Sequence, residues 1–235
     1  MSKKYFARTV LVGLLLGILA AGSAICSTIM DEAEKLSWHT QNIGALKALF
    51  PNAASVETFI NEVNPKFAVN SFYGESVGQY EFIDLGNNGE VELLATVDLT
   101  GRKKYDLVYI VQKVNNDFRI SDLMAGEGIF DLKSHIVDLN GNGRKEFLLP
   151  RRLAQPKFMV DPRPVIDDVY SWDGDRFHKA NASFKNYYRS LLPGLKAEHE
   201  AIVQGKKKLV DPSQKDLLKK KYEREIEEVN KILSE

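Results

Sequence analysis

A single cysteine, Cys26, stands in a chain of 235 residues. No intrachain disulfide can form, so stability has to come from a core, from helices or from metal. An excess of either charge is also missing. Lys+Arg and Asp+Glu both number 32, the formal net charge is zero, and nothing resembles the strongly basic footprint of a nucleic-acid binder. No Gly-x-Ser-x-Gly elbow occurs, "HEAIV" at 199–203 lacks the second histidine of a zinc-protease helix, and no glycine loop is built to cradle phosphate. The four histidines, His39, His135, His178 and His199, share no ligand spacing and read as surface residues of strands or helices. What remains for catalysis is a set of dispersed carboxylates.

Hydrophobic residues make up 44% of the chain, enough for a real core. The longest apolar run lies at the start. Lys3, Lys4 and Arg8 form a basic region, no charge occurs from Thr9 to Met30, and small residues follow in "AAGSAICS". Basic, then apolar, then small is the order of a secretory signal peptide, expected over residues 1–27. The 22 uncharged residues would also span a bilayer as an uncleaved anchor. Cys26 sits where a lipoprotein carries its acylated cysteine, but Ile25 occupies the position that should be Gly, Ala or Ser. The expected location is therefore extracytoplasmic, periplasmic or secreted. Membrane attachment would come only through an uncleaved N-terminal segment or a lipidated Cys26.

Three regions follow. Residues 28–66 read as helical, with Leu36, Ile43, Leu46 and Leu49 at helical spacing, a stop at Pro51-Asn52, and Ser55 as the cap of a second short helix. From 67 to 180 the period becomes two. "QYEFIDL", "VELLATVDL", "YDLVYIVQKV", "FRISDLM", "IFDLKSHIVDL", "KEFLL" and "DDVYSW" alternate with turn residues, which predicts antiparallel β. Asn88-Gly89 and Asp173-Gly174 are dipeptides that suit tight hairpins. Trp172 and Phe177 flank the second as a cross-strand aromatic pair. Residues 181–235 return to helical spacing, interrupted at Pro193-Gly194 and restarted at Pro212-Ser213, with Leu218, Tyr222, Ile226, Val229 and Leu233 on one face. The lysine runs 206–208 and 219–221 have acids among them and read as a solvated helical face.

"IDLGNNGEVELL" (83–94) and "VDLNGNGRKEFL" (137–148) align without gaps at a spacing of 54. Asp84/Asp138, Leu85/Leu139, Asn88/Asn142, Gly89/Gly143, Glu92/Glu146 and Leu94/Leu148 are identical. A repeat of this kind suggests a duplicated strand-loop-strand unit, as in propeller blades. "VDLTGRKKYDL" (97–107) carries Asp98 and Asp106 but lacks the Gly and the Asn, and reads as a hairpin only. The loop "DLNGNGRKEFLL" resembles the calcium loop of FG-GAP and VCBS repeats, found in integrin α propellers and in secreted bacterial proteins. Asp138, Asn140, Asn142, Gly143 and Glu146 match that pattern in order.

The chemistry can also be argued from the residues. Calcium takes six to eight oxygens in flexible geometry. Side chains at positions 1, 3 and 5 of a tight loop converge, Gly at 6 allows the bend, position 7 offers its carbonyl, and an acid at 9 closes the shell. These are Asp138, Asn140, Asn142, the carbonyl of Arg144, and Glu146. Only two ligands are charged, so binding should be weak, on the order of 10⁻⁴–10⁻³ M. The competing reading is a metal-free turn held by Asx bonds and glycine. That turn is the better reading for 84–92, where Gly86 replaces a ligand.

The expectation is an α+β protein: a mainly antiparallel β core of about eight to ten strands, as an incomplete propeller or fused sheets, with helices at both ends. Its expected role is an exported, non-enzymatic binding or structural module for a protein or glycan partner, stabilised by weak calcium. One alternative is an extracytoplasmic hydrolase using Asp84, Glu92 and Asp106. Another is a membrane-tethered protein that recruits a partner through its C-terminal helix.

Overall fold

A computed structural model describes residues 29–67, 69, 75–99, 106–125, 131–154, 161–209 and 211–235. The expected signal segment and Cys26 lie outside the described residues. The observed class is α+β, with two four-stranded antiparallel sheets between helices. Eight strands occur among the described residues, and the sheets close into no propeller.

Residues 29–35 are helical. They are followed by α1 (Ile43–Leu49) and α2 (Ala53–Val63). The cap of α2 is Asn52, not Ser55. The Asn52 side chain accepts the Ser55 N–H at 3.0 Å, and Ser55 stands three residues in, completing a capping box. The preceding helix ends earlier, with Phe50 as its C-cap, and Asn52 starts the next.

The first sheet runs β1 (Glu75–Ile83), β2 (Glu92–Leu99), β3 (Asp106–Val114), β4 (Asp117–Ala125), each strand beside its sequence neighbour. The second repeats the plan with β5 (Ile136–Val137), β6 (Glu146–Arg152), β7 (Val165–Trp172) and β8 (Phe177–Lys179). Register carries the duplication. Ile83 pairs with Glu92 and Phe82 with Leu93; 54 residues later Val137 pairs with Glu146 and Ile136 with Phe147. In the segment "IFDLKSHIVDL" the described residues, from Asp131 on, yield only the two residues of β5, because Leu132–His135 forms a 3-10 turn capped by Asp131. The tightest hairpin is at Asn115-Asn116, where Asn115 takes φ +60°. At the expected tight turns Gly89 and Gly174 have positive φ, but Asn88 and Asp173 do not, so both belong to longer loops. Trp172 and Phe177 do pair across β7 and β8, their rings 5.1 Å apart and edge-to-face.

Strand alternation turns these sheets into inner layers of a four-layer stack. On β2, Leu93, Ala95 and Val97 face the N-terminal helices, where Trp38, Phe50, Phe59 and Phe82 form an aromatic core. Leu94 points the other way, into an inter-sheet core with Val108, Ile110, Phe147, Leu149 and Trp172. On the far side of the second sheet, Leu148, Ile166 and Val169 meet the C-terminal helices α3 (Lys185–Val203) and α4 (Lys215–Ser234). Covering both outer faces with helices satisfies the apolar side of every strand. The expected interruption at Pro193 does not occur: α3 runs through it. Proline removes one hydrogen bond of an exposed turn, while Tyr188, Leu191, Leu192 and Leu195 on either side stay packed in one cluster. Tertiary packing overrides the local break.

Candidate metal loop and its duplicate

Loop 138–146 joins β5 to β6. Its shape is set by Asp138, whose Oδ1 accepts the N–H groups of Gly141 (2.7 Å) and Asn142 (3.1 Å) while Oδ2 accepts that of Gly143 (2.8 Å). Asn142 Oδ1 accepts the Arg144 N–H at 2.8 Å and Asn140 Oδ1 the Asn142 N–H at 3.2 Å. Glu146 Oε2 closes the loop by accepting the Leu139 N–H at 2.9 Å. Gly143 takes φ +86°, where a side chain would be strained. The Arg144 guanidinium donates to the Trp172 carbonyl at 2.7 Å, anchoring the loop to the end of β7.

Loop 84–92 reproduces the frame. Asp84 accepts from Asn88 (3.0 Å) and Gly89 (2.8 Å), Asn88 from Glu90 (2.9 Å), and Glu92 from Leu85 (3.0 Å). Gly89 takes φ +88°. Gly86 in place of a position-3 ligand leaves this geometry intact, so the frame depends on positions 1, 5, 6 and 9.

The two loops touch. Lys145 N–H donates to the Leu85 carbonyl at 2.9 Å, and Asn87 Nδ2 to the Asn142 carbonyl at 3.2 Å. Upstream, the N-terminal segment makes the same contact with the first loop: Val91 N–H, the residue equivalent to Lys145, donates to the Trp38 carbonyl at 3.0 Å. Each position-6 glycine faces the preceding segment. A Cβ on Gly89 would fall 2.5 Å from His39 Nε2, and one on Gly143 would fall 2.2 Å from Asn87 Nδ2. The sequence repeat pointed to the loops; nothing in it pointed to His39 or Asn87, whose roles come from how the units stack.

Burial pushes the Glu92 carboxyl up, the Leu85 N–H pulls it partly back, and neighbouring Asp84 raises it again, to about 7. Glu146 is raised for the same reasons, chiefly burial, with the Leu139 N–H opposing and Asp138 adding to it. At Asp138 burial also acts upward, but the three loop N–H groups and Lys145 outweigh it and hold the carboxyl below its usual range. Each loop thus brings two carboxylates together, and the ninth-position acid is left without a full set of partners for its charge.

The donor set of 138–146 fits a hard cation. A carboxylate offers about four lone-pair sites and an amide oxygen two. The N–H bonds named above leave acceptor capacity on Asp138, Asn140, Asn142 and Glu146, alongside the Arg144 carbonyl. Among the described residues no group of three His, Cys, Asp or Glu side chains is gathered as for a metal. This loop brings only two carboxylates and would complete a shell with neutral oxygens.

The other sequence candidates are dispersed. Asp84 and Glu92 lie at the loop end of the first sheet, while Asp106 opens β3 opposite Asp98 at the far end of β2, about 20 Å along the strand. Asp106 is therefore separated from the other two by the length of β2. Glu81 pairs with Lys133 at 2.8 Å and Lys47 at 3.6 Å. Asp168 is buried and accepts from Arg151, Lys179 and Asn181, each at 2.8 Å. Arg151 in turn reaches Glu228 of α4 at 2.7 Å. Sequence inspection missed this cluster because its members come from five separate elements: β6, β7, β8, the 3-10 turn Asn181–Phe184 and α4. No family model, no curated protein and no solved structure matches the chain.

Proposed function

We propose that this protein is an extracytoplasmic, non-catalytic binding or structural module in which loop 138–146 takes up calcium weakly. The observation that carries the reading is the convergence of Asp138 and Glu146 on one loop that also carries two amide oxygens, those of Asn140 and Asn142. Asp138, Asn140, Asn142, the Arg144 carbonyl and Glu146 would hold the ion. It would tie β5 to β6 and offset the mutual repulsion of the two carboxylates. The resemblance to FG-GAP and VCBS loops and the export-type N-terminus agree with this role. The partner would be a protein or a glycan.

A metal-free turn is the second reading. It is favoured by loop 84–92, which adopts the same frame with Gly86 at the third position. That duplicate also supplies the discriminating variant. Asn140→Gly copies the first loop, so it should keep the turn and delete one ligand. Thermal unfolding of the full chain, with calcium raised to about 10–100 mM (one hundred times the expected Kd) and with chelator, should show a calcium-dependent rise in Tm. At one hundred times Kd the linkage is about 2.7 kcal/mol, or roughly 5–10 °C for a chain of this size. Asn140→Gly should match the wild type in chelator and lose most of the rise. No shift at any calcium concentration, or a full shift in Asn140→Gly, would leave the polar turn as the correct reading.

A further inference from the structure

We propose that the tip of the α3–α4 hairpin is a docking surface for anionic lipid bilayers. The base of the hairpin covers the second sheet through Tyr188, Leu191, Leu192 and Leu195 on α3 and Val229, Ile232 and Leu233 on α4. The described residues of 196–224 contribute nothing to that cluster. There α3 packs on α4, with Ile202 buried and His199 beside Glu223, while Lys207 of the connecting segment pairs with Glu198. The tip stands away from the core.

Two features coincide on it. The large hydrophobics exposed among the described residues are Val203, at 46%, and Leu217, at 39%. Both sit at the tip, one on the last turn of α3 and the other on the first turn of α4. Around them residues 203–221 hold seven lysines and two aspartates. One aspartate, Asp211, is committed to the Ser213 N–H and hydroxyl as a helix cap. Lys207, Lys219 and Lys221 pair with Glu198, Glu223 and Glu225. Lys206, Lys208 and Lys220 are exposed and have no carboxylate partner among the described residues.

The lysine runs read singly as a solvated face because acids lie among them in sequence. The fold changes that by bringing both runs to one end, with aliphatic side chains between them. Elsewhere, residues 31–235 carry 22 basic against 30 acidic side chains. The molecule is polarised, with a positive tip on a negative body. An anionic surface would attract the first and repel the second, which fixes the orientation of approach. A lysine ring around exposed aliphatic side chains suits the headgroup–acyl boundary, where the cations meet lipid phosphates and the apolar groups enter below them. A soluble polyanion would use the lysines and leave Val203 and Leu217 without a role. This inference is independent of the calcium reading.

The test places a reporter at the tip of the full chain, so that any membrane affinity of the N-terminal segment does not enter the signal. Trp38 and Trp172 are buried and give a constant background. In a Leu217→Trp variant the added indole is exposed. With vesicles of phosphatidylcholine plus about one-third phosphatidylglycerol, its emission should shift to the blue and be quenched by brominated acyl chains. Phosphatidylcholine alone should give no shift, and high salt should abolish it. Adding Lys206→Gln, Lys208→Gln and Lys220→Gln should raise the lipid concentration for half-maximal shift about a hundredfold, at roughly fivefold per lysine. Circular dichroism checks that these exposed changes leave the helices intact. Equal shifts on neutral and anionic vesicles, no shift on either, or a shift with heparin but none with vesicles would each overturn the proposal.

Discussion

The two halves of this protein share a strand plan and a loop, yet the contacts that fasten each to its helices are weighted differently. The first sheet meets its helices through rings: Trp38, Phe50, Phe59, Phe82 and Phe118 lie with centroids 5.0–6.4 Å apart. The second sheet has an apolar seam too, but charge is built into it. Asp168 is buried under Arg151, Lys179 and Asn181, Arg151 bridges to Glu228, and the buried Glu225 accepts the Val165 N–H at 2.9 Å. A shared strand plan therefore does not dictate identical covers. Apolar contact is non-directional, whereas a buried carboxylate must find each of its donors. Directional bonds occur at both seams, as where Glu57 accepts the Val77 N–H at 3.2 Å, but the second seam buries its carboxylates, Asp168 and Glu225.

The largest effects should come from breaking each cover separately. Asp168→Ala leaves Arg151, Lys179 and Asn181 without their shared acceptor and should cost about 3–5 kcal/mol, the range for removing one partner of a buried pair. Phe59→Ala should cost about the same by opening a cavity among the rings. The contrast lies in what loosens first. Hydrogen exchange should report early opening of α3 and α4 in Asp168→Ala, and of α1 and α2 in Phe59→Ala. The pH response also differs. The Asp168 carboxyl is held below its usual range: burial acts upward, but Lys179, Asn181 and Arg151 prevail. The stability it contributes is present above the unfolded value and is lost as pH falls through the folded one.

Glu92 sharpens the comparison with the opposite sign. Its folded value of about 7 lies above the ordinary 4.5. The native state therefore holds a proton that the unfolded chain releases, and stability falls as pH rises from about 4.5 through 7. Glu92→Gln keeps an acceptor for the Leu85 N–H and removes the charge. It should stabilise the protein by about 2–3 kcal/mol at pH 8 and change little at pH 4. Chemical denaturation at the two pH values measures this directly. An equal effect at both would show that Glu92 carries no buried charge.

Smaller effects separate the two glycines of the second loop. Gly143 has positive φ and packs against Asn87, while Gly141 has positive φ with open space around it. Gly141→Ala should cost about 1 kcal/mol from backbone strain alone. Gly143→Ala should cost about 2–3 kcal/mol, because Asn87 must also move and lose its bond to the Asn142 carbonyl. If the two variants unfold alike, the loop-to-loop contact contributes little to stability.

Much of this architecture was legible in the residues. The change of period from helix to strand and back, and the 54-residue repeat, depend on local side-chain pattern, and the backbone answers to that pattern directly. The loop frame was legible for the same reason: Asp138 and Glu146 accept N–H groups no more than seven residues away, and Gly143 supplies the positive φ between them. What the sequence could not decide was long-range. Pro193 was expected to break a helix that packing carries through it. Asp168 could not be joined to Arg151, Lys179 and Glu228, since those residues are 17, 11 and 60 positions away. Neither could the lysine runs be seen as one positive tip. Short-range chemistry is written along the chain, whereas the choice of distant partners is made only when the layers pack and each buried group must find a neighbour.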